Sequence, residues 1–226
     1  EPLVHWQQLG QQPEQQQAPA VWKNSASAAQ PLAGLRVLDL TRVLAGPVAT
    51  RFLARFGADV LRIDPPAWEE PGVVPEVTLG KRCAGLDLHN AQDRQHFAAL
   101  VKNADILMHG YRPGALARLG YDQQALSAMN PALINVALCA YGWTGPWANR
   151  RGFDSLVQMS SGIAHTGMLL SGAARPVPLP VQALDHATGY LLAAAALRAL
   201  RERCQTGCVY GARLSLARTG VLLSSA

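Results

Sequence analysis

Asp185 stands at the opening of an apolar stretch that runs from His186 to Arg203 with helical character. A carboxylate there has two readings. It is an N-cap that satisfies the first amides of the helix. Otherwise it is a nucleophile kept ionised by the helix N-terminus, with nearby amides to stabilise an oxyanion. A second group of residues, Arg42, Lys81, Arg82, Arg112 and Arg118, consists of cations at ends of strands or starts of helices. Cations and backbone donors so placed suit a phosphate-bearing ligand, although each is equally at home as a solvated surface charge. Arg112, followed by Pro113-Gly114, is the strongest of them as a ligand-facing loop residue. His165 and His186 are candidates for proton transfer, yet a lone histidine is more often structural.

These side chains need a scaffold, and the chain from Pro31 onward supplies an α/β one. Leu35–Leu40 is a short apolar run of strand length, Pro47 suits the first turn of a helix, and Val48, Phe52 and Phe56 share one helical face up to Gly57. Asp59–Ile63 follows as a second strand, which makes a βαβ unit and implies a parallel sheet. The alternation continues with a helix over Ala91–Asn103 capped by Asn90, a strand over Asp105–Met108, a short helix after Asp122 and a strand over Leu133–Leu138. Helices over Asp154–Ser161 and His186–Arg203 precede a strand over Val209–Leu216, with Asp154 read as a helix cap. The expected fold is a Rossmann-like open, mostly parallel sheet with helices on both faces.

Residues 1–30 have a different composition, with Gln7, Gln8, Gln11, Gln12, Gln15, Gln16 and Gln17 interleaved with Pro13 and Pro19. They read as a linker or a remnant of a small domain, docked by Trp6 and Trp22. Residues 31–226 then form one α/β domain. Of the 226 residues 49% are hydrophobic and 15% charged, the balance of a globular chain. The apolar run Leu191–Leu197 is far shorter than the roughly 20 residues of a membrane span, and no secretory leader is visible, so a cytoplasmic protein is expected. The net charge of +5 comes from scattered basic residues with no stacking pattern of aromatics, which argues against nucleic acid. Cys83, Cys139, Cys204 and Cys208 form no CxxC pair, and no metal site is expected.

A dinucleotide fingerprint is excluded by its glycines. Thr41–Val48 holds only Gly46, followed by a proline that removes an amide donor. What the segment does resemble is the opening of class III coenzyme A transferases of the CaiB/BaiF type, through Asp39-Leu40-Thr41-Arg42-Val43-Leu44-Ala45-Gly46-Pro47 and Phe56-Gly57-Ala58-Asp59-Val60. The likeness continues in order through Gly80-Lys81-Arg82, Tyr111-Arg112-Pro113-Gly114, Arg118-Leu119-Gly120, Tyr141-Gly142-Trp143-Thr144-Gly145-Pro146, Gly152-Phe153-Asp154 and Leu184-Asp185.

The resemblance implies a coenzyme A groove built by Arg42, Ala45 and Gly46, by Gly80, Lys81 and Arg82, by Tyr111, Arg112 and Arg118, and by Ala140, Tyr141 and Gly142. It implies Asp185 as a nucleophile that forms covalent intermediates while coenzyme A moves from an acyl-CoA to a free acid, in a homodimer. A racemase relative would carry a histidine just before Asp154, where this chain has Phe153. Pro65–Glu70 offers no arginine where relatives often contact the nucleotide. A catalytically degenerate coenzyme A-binding homologue is therefore the alternative.

Overall fold

The computed structural model describes residues 1–11, 22 and 27–225. Most of the glutamines and both prolines singled out in the first thirty residues lie outside them. In chain order the elements are β1 (His5–Gln11), β2 (Arg36–Leu40), α1 (Ala45–Arg55), β3 (Asp59–Asp64), α2 (Val74–Val77), β4 (Arg82–Gly85), α3 (Ala91–Lys102) and β5 (Ile106–His109). There follow α4 (Ala115–Arg118), α5 (Gln123–Met129), β6 (Ile134–Cys139), α6 (Asp154–Ser160), α7 (Ile163–Ser171), α8 (Ala183–Thr206), β7 (Cys208–Ser215) and α9 (Leu216–Ser224).

Among the described residues the strands form one seven-stranded sheet in the order β1-β7-β6-β5-β2-β3-β4. Every neighbouring pair is parallel except β1 with β7. This is the expected open α/β sheet, with the chain running outward from β2 in one direction and then in the other. The edge strand β1 comes from the segment expected to be a linker: His5 pairs with Arg213 and Gln11 with Cys208. Backbone pairing to an open sheet edge needs no apolar side chains, so a glutamine-rich segment can join it. Trp6 and Trp22 both pack against the core, and the Trp22 indole donates to the Ala33 carbonyl at 2.8 Å.

Alternation in the strands sends one side chain to each face. Ile106, Met108, Ile134 and Val136 enter the core beneath α1 and α8, while Leu38, Leu40 and Leu107 pack with Phe97 and Leu126 on the opposite face. The helices α1 and α8 touch closely because Gly189 has no side chain: a Cβ there would lie 2.6 Å from the Ala45 carbonyl oxygen. Of the elements that escape a reading by periodicity, two show why. Strand β4 is exposed throughout, so no apolar alternation marks it, and α7 contains Gly167, whose missing Cβ admits the Val177 carbonyl.

Candidate active site

Chain order reverses between β2 and β5, so the loops that follow them diverge and open a crevice at the carboxyl ends of the strands. A cleft of about 530 Å³ occupies this place. Its walls include Arg42, Ala45, Trp68, Tyr111, Arg112 and Ala140, and Asp185 is also in its lining.

The loop after β2 is held from below by a buried polar cluster. Asp39 accepts the Thr41 N–H at 2.9 Å and the Lys81 ammonium at 2.9 Å, and Lys81 also bonds the Thr50 hydroxyl at 2.6 Å. Burial pulls the Lys81 pKa below its usual value, and the Asp39 carboxylate opposes that shift. Lys81 is thus a buried ion-pair partner and lies outside the cleft lining. Gly46 belongs to the same packing, since a Cβ there would lie 2.2 Å from that of Thr41.

Beyond Thr41 the backbone turns sharply: Val43 has φ of 66°, a left-handed conformation costly for a β-branched residue. Its N–H donates to Glu70 at 2.7 Å, and Glu70 in turn accepts the buried Arg62 guanidinium at 2.7 Å. The strain is maintained by that chain of contacts at the edge of the cleft. It aims Arg42 inward, where the guanidinium lies 4.6 Å from the Trp68 ring centroid and 5.5 Å from that of Tyr111. Arg42 also donates to the Tyr111 hydroxyl at 3.3 Å, and its Nε is 3.5 Å from Asp64. A planar cation between two aromatic rings is a pre-ordered recognition surface for an anionic or aromatic group.

Asp185 is the third residue of α8 and only 6% exposed. It does not cap its own helix. The cap is delivered from another element: Asp154, the first residue of α6, accepts the Asp185 N–H at 3.0 Å. Asp154, expected to cap α6, therefore serves α8 instead. Its other oxygen accepts from Gln158, whose own carbonyl accepts the Leu179 N–H at 2.7 Å, tying in the segment before α8. Burial raises the Asp185 pKa to about 7, and the charge of Asp154 adds to the rise. The helix N-terminus was expected to favour ionisation. Desolvation and a like charge outweigh it, because the carboxyl group is withdrawn from water. A carboxyl group near pKa 7 is about half ionised at neutral pH, a state suited to both attack and departure.

The other sequence candidates divide. Arg42, Ala45, Tyr111, Arg112, Ala140 and Asp185 meet in the cleft. Tyr141 and Gly142 lie just behind it: Gly152 packs on Ala140 and Tyr141, with room for no Cβ, while Gly142 takes φ of 94° in the turn after β6. Gly80 sits in a separate groove beside Phe52 and Tyr190. Arg82 is at the opposite, amino end of the sheet in a two-pronged ion pair with Asp59. Arg118 borders a different surface hollow with His89 and Arg94. His165 and His186 are exposed and line no part of the cleft. Sequence reasoning missed Trp68, Arg150, Arg151 and Phe153 as lining residues. Trp68 was passed over because it lies in a Pro-rich connection without arginine, yet a large aromatic in such a loop was itself a signal. Among the described residues no cluster of three or more His, Cys, Asp or Glu side chains could hold a metal, and no helix is long and apolar enough to cross a membrane.

Fold and cleft together define an open-sheet α/β protein with a crevice at the strand-order reversal and a buried carboxyl group of raised pKa in its wall. Comparison with known proteins narrows that class. The model of CoA-transferase family III matches residues 32–226, and the chain belongs to this family.

The chain is 36% identical over 197 residues to a Mycobacterium tuberculosis protein named "Probable fatty acyl-CoA transferase Rv3272", covering 81% of this chain and 50% of that protein. It is 31% identical over 199 residues to the succinyl-CoA:glutarate CoA-transferase of Mus musculus, covering 82% and 45% respectively. The crystal structure of Rv3272 superposes with a TM-score of 0.79 at 34% identity, covering 87% of this chain and 58% of that one. That of a CaiB/BaiF family protein from Brucella suis gives 0.74 at 32% identity, covering 87% and 56%. The chain spans about half the length of the curated relatives it matches.

Proposed function

We propose that this chain carries the coenzyme A groove and the nucleophile of an enzyme that moves coenzyme A from an acyl-CoA thioester to a free carboxylic acid. The observation that carries the reading is the buried Asp185, facing the same cleft as the Arg42, Trp68 and Tyr111 stack. Arg42 and Arg112 suit the phosphates of the cofactor, Trp68 suits its adenine, and Ala45 and Ala140 leave an apolar passage toward Asp185. The names of the relatives, which move coenzyme A among acids, support the reaction class.

In the proposed chemistry the ionised Asp185 oxygen adds to the thioester carbonyl. The adduct collapses by breaking the C–S bond, giving a mixed anhydride and the coenzyme A thiolate. The thiolate attacks the aspartyl carbonyl of the anhydride and releases the donor acid as a carboxylate, leaving an aspartyl-CoA thioester. The acceptor carboxylate opens that thioester to a new anhydride and thiolate. Attack of the thiolate on the acceptor's acyl carbon forms the product and returns Asp185 as a carboxylate. Each bond broken is replaced by one of comparable energy, so one hard exchange becomes several easy ones. Phe153 in the cleft wall offers no exchangeable proton, which disfavours a racemase.

We read residues 31–226 as one catalytic unit acting in the cytoplasm as a homodimer. Support for the dimer comes from exposed apolar side chains on α7, where Leu170 is 85% exposed. The test of function is intact-protein mass spectrometry after mixing with acyl-CoA thioesters and trapping with hydroxylamine or borohydride. A modification at Asp185, absent in Asp185→Ala, is expected. Coenzyme A binding without any adduct indicates the degenerate homologue.

A further inference from the structure

A second cavity, of about 270 Å³, lies on the face of the sheet opposite α1 and α8. Its floor follows from strand alternation. Ile134 and Val136 enter the core under α8, so Asn135 and Ala137 point to the other side, where Arg213 from β7 joins them. Helix α4, the start of α5 and Trp143 form walls, and His109 at the end of β5 closes one side.

The polar groups of this cavity are incompletely used. Asn135 donates its amide to Gln123 at 2.9 Å, but its Oδ1 is buried without a partner. His109 is 8% exposed and its Nδ1 is likewise buried without a partner. Burial and the nearby Arg213 hold the imidazole neutral by pushing its pKa down to about 4. Arg213 lies with its guanidinium 5.0 Å from the Trp143 ring centroid and has no acidic partner among the described residues. Arg112 at the rim, shared with the front cleft, has none either. The one acid in the lining, Asp122, is engaged in accepting the Ala125 N–H at the start of α5. Buried polar atoms are ordinarily satisfied, and a concentration of unsatisfied ones around a cationic hollow marks a place that a ligand completes.

We propose that this rear cavity is a second small-molecule site that takes a short hydroxycarboxylic acid, its carboxylate on the Arg213 guanidinium and its hydroxyl donated to Asn135 Oδ1. A fork of N–H donors without an acid calls for a carboxylate, and an orphan amide oxygen calls for a donor on the same molecule. Leu9, Leu116 and Ala137 leave room for a short carbon chain between them. A hollow of about 270 Å³ admits an acid of this size. The inference stands independently of the transferase reading, since neither Arg213 nor Asn135 lines the front cleft.

The test is isothermal titration of the full chain with 2-hydroxybutyrate and with butyrate, repeated on Arg213→Gln and Asn135→Ala, with circular dichroism melts to check folding. The hydroxy acid is expected to bind the unaltered chain about fivefold more tightly than butyrate. Arg213→Gln weakens it about tenfold, and Asn135→Ala equalises the two acids. Coenzyme A titrations are unchanged in both variants. Equal binding of the hydroxy acid to the unaltered chain and Arg213→Gln overturns the proposal, as that places the acid elsewhere. So does the absence of heat up to about 10 mM ligand. Should Arg213→Gln not fold, an undiminished hydroxyl preference in Asn135→Ala refutes the site.

Discussion

Replacing Asp154 by Asn separates the two roles that the structure gives its carboxylate. The amide oxygen of Asn still accepts the Asp185 N–H, so the helix end remains capped, while its NH2 faces the Gln158 amide, whose bond to Asp154 is lost, and the negative charge beside Asp185 is gone. Burial is the larger cause of the raised Asp185 pKa of about 7 and persists in the variant. Removing the smaller, charge-based cause is expected to lower that pKa by about one unit. At pH 6 a group of pKa 7 is about 10% ionised and one of pKa 6 about 50%, a gain of roughly fivefold in reactive carboxylate. At pH 8 both are about 90% ionised or more, and the two proteins converge apart from a small loss of intrinsic nucleophilicity. The assay is the rate of covalent trapping on Asp185 under single-turnover conditions from pH 5 to 9, in the variant and the unaltered chain. A midpoint that stays near 7, or rises, refutes the assignment of Asp154 as the charge that holds Asp185 back.

Other outcomes follow from the same geometry. Asp185→Asn should stabilise the protein at alkaline pH. The native pKa lies above the unfolded value of 3.8, so the unfolded chain loses its proton first and stability falls as pH rises from about 4 to 7; relief of that loss amounts to about 4 kcal/mol above pH 7 and nothing below pH 4, read by thermal melts. Trp68→Ala removes one face of the Arg42 stack and should weaken coenzyme A binding about fivefold in calorimetry, with unchanged urea stability. Lys81→Met leaves Asp39 buried without its cation and should cost about 3–5 kcal/mol in urea unfolding; adding Asp39→Asn should recover part of it. Gly189→Ala drives a methyl into the Ala45 carbonyl, 2.6 Å away, and should destabilise by about 1–3 kcal/mol while reducing trapping at Asp185.

Local signals determined a good part of this protein. Apolar runs at Val37–Leu40 and Ile106–Met108, the helical stripe of α1 and the Asn90 cap are properties of neighbouring residues, and each appears where its pattern lies. The order of loop motifs was enough to mark the family, and with it Asp185, Arg42, Tyr111 and Arg112 as residues that converge. Pairings between distant segments were another matter. Nothing near Lys81 in sequence says that Asp39, forty-two positions earlier, would bury its ammonium and so remove it from the ligand surface. Nothing near Asp185 says that its amide is capped by Asp154 from a different helix, or that burial would raise its pKa against the pull of the helix end. Trp68 enters the cleft because Glu70, two residues on, is tied to Arg62 and Val43. The glutamine-rich His5–Gln11 joins the sheet because β7 leaves an edge to pair with. Patterns of period and capping are written along the chain, whereas desolvation, ion pairing and edge pairing depend on which residues the folded sheet brings side by side.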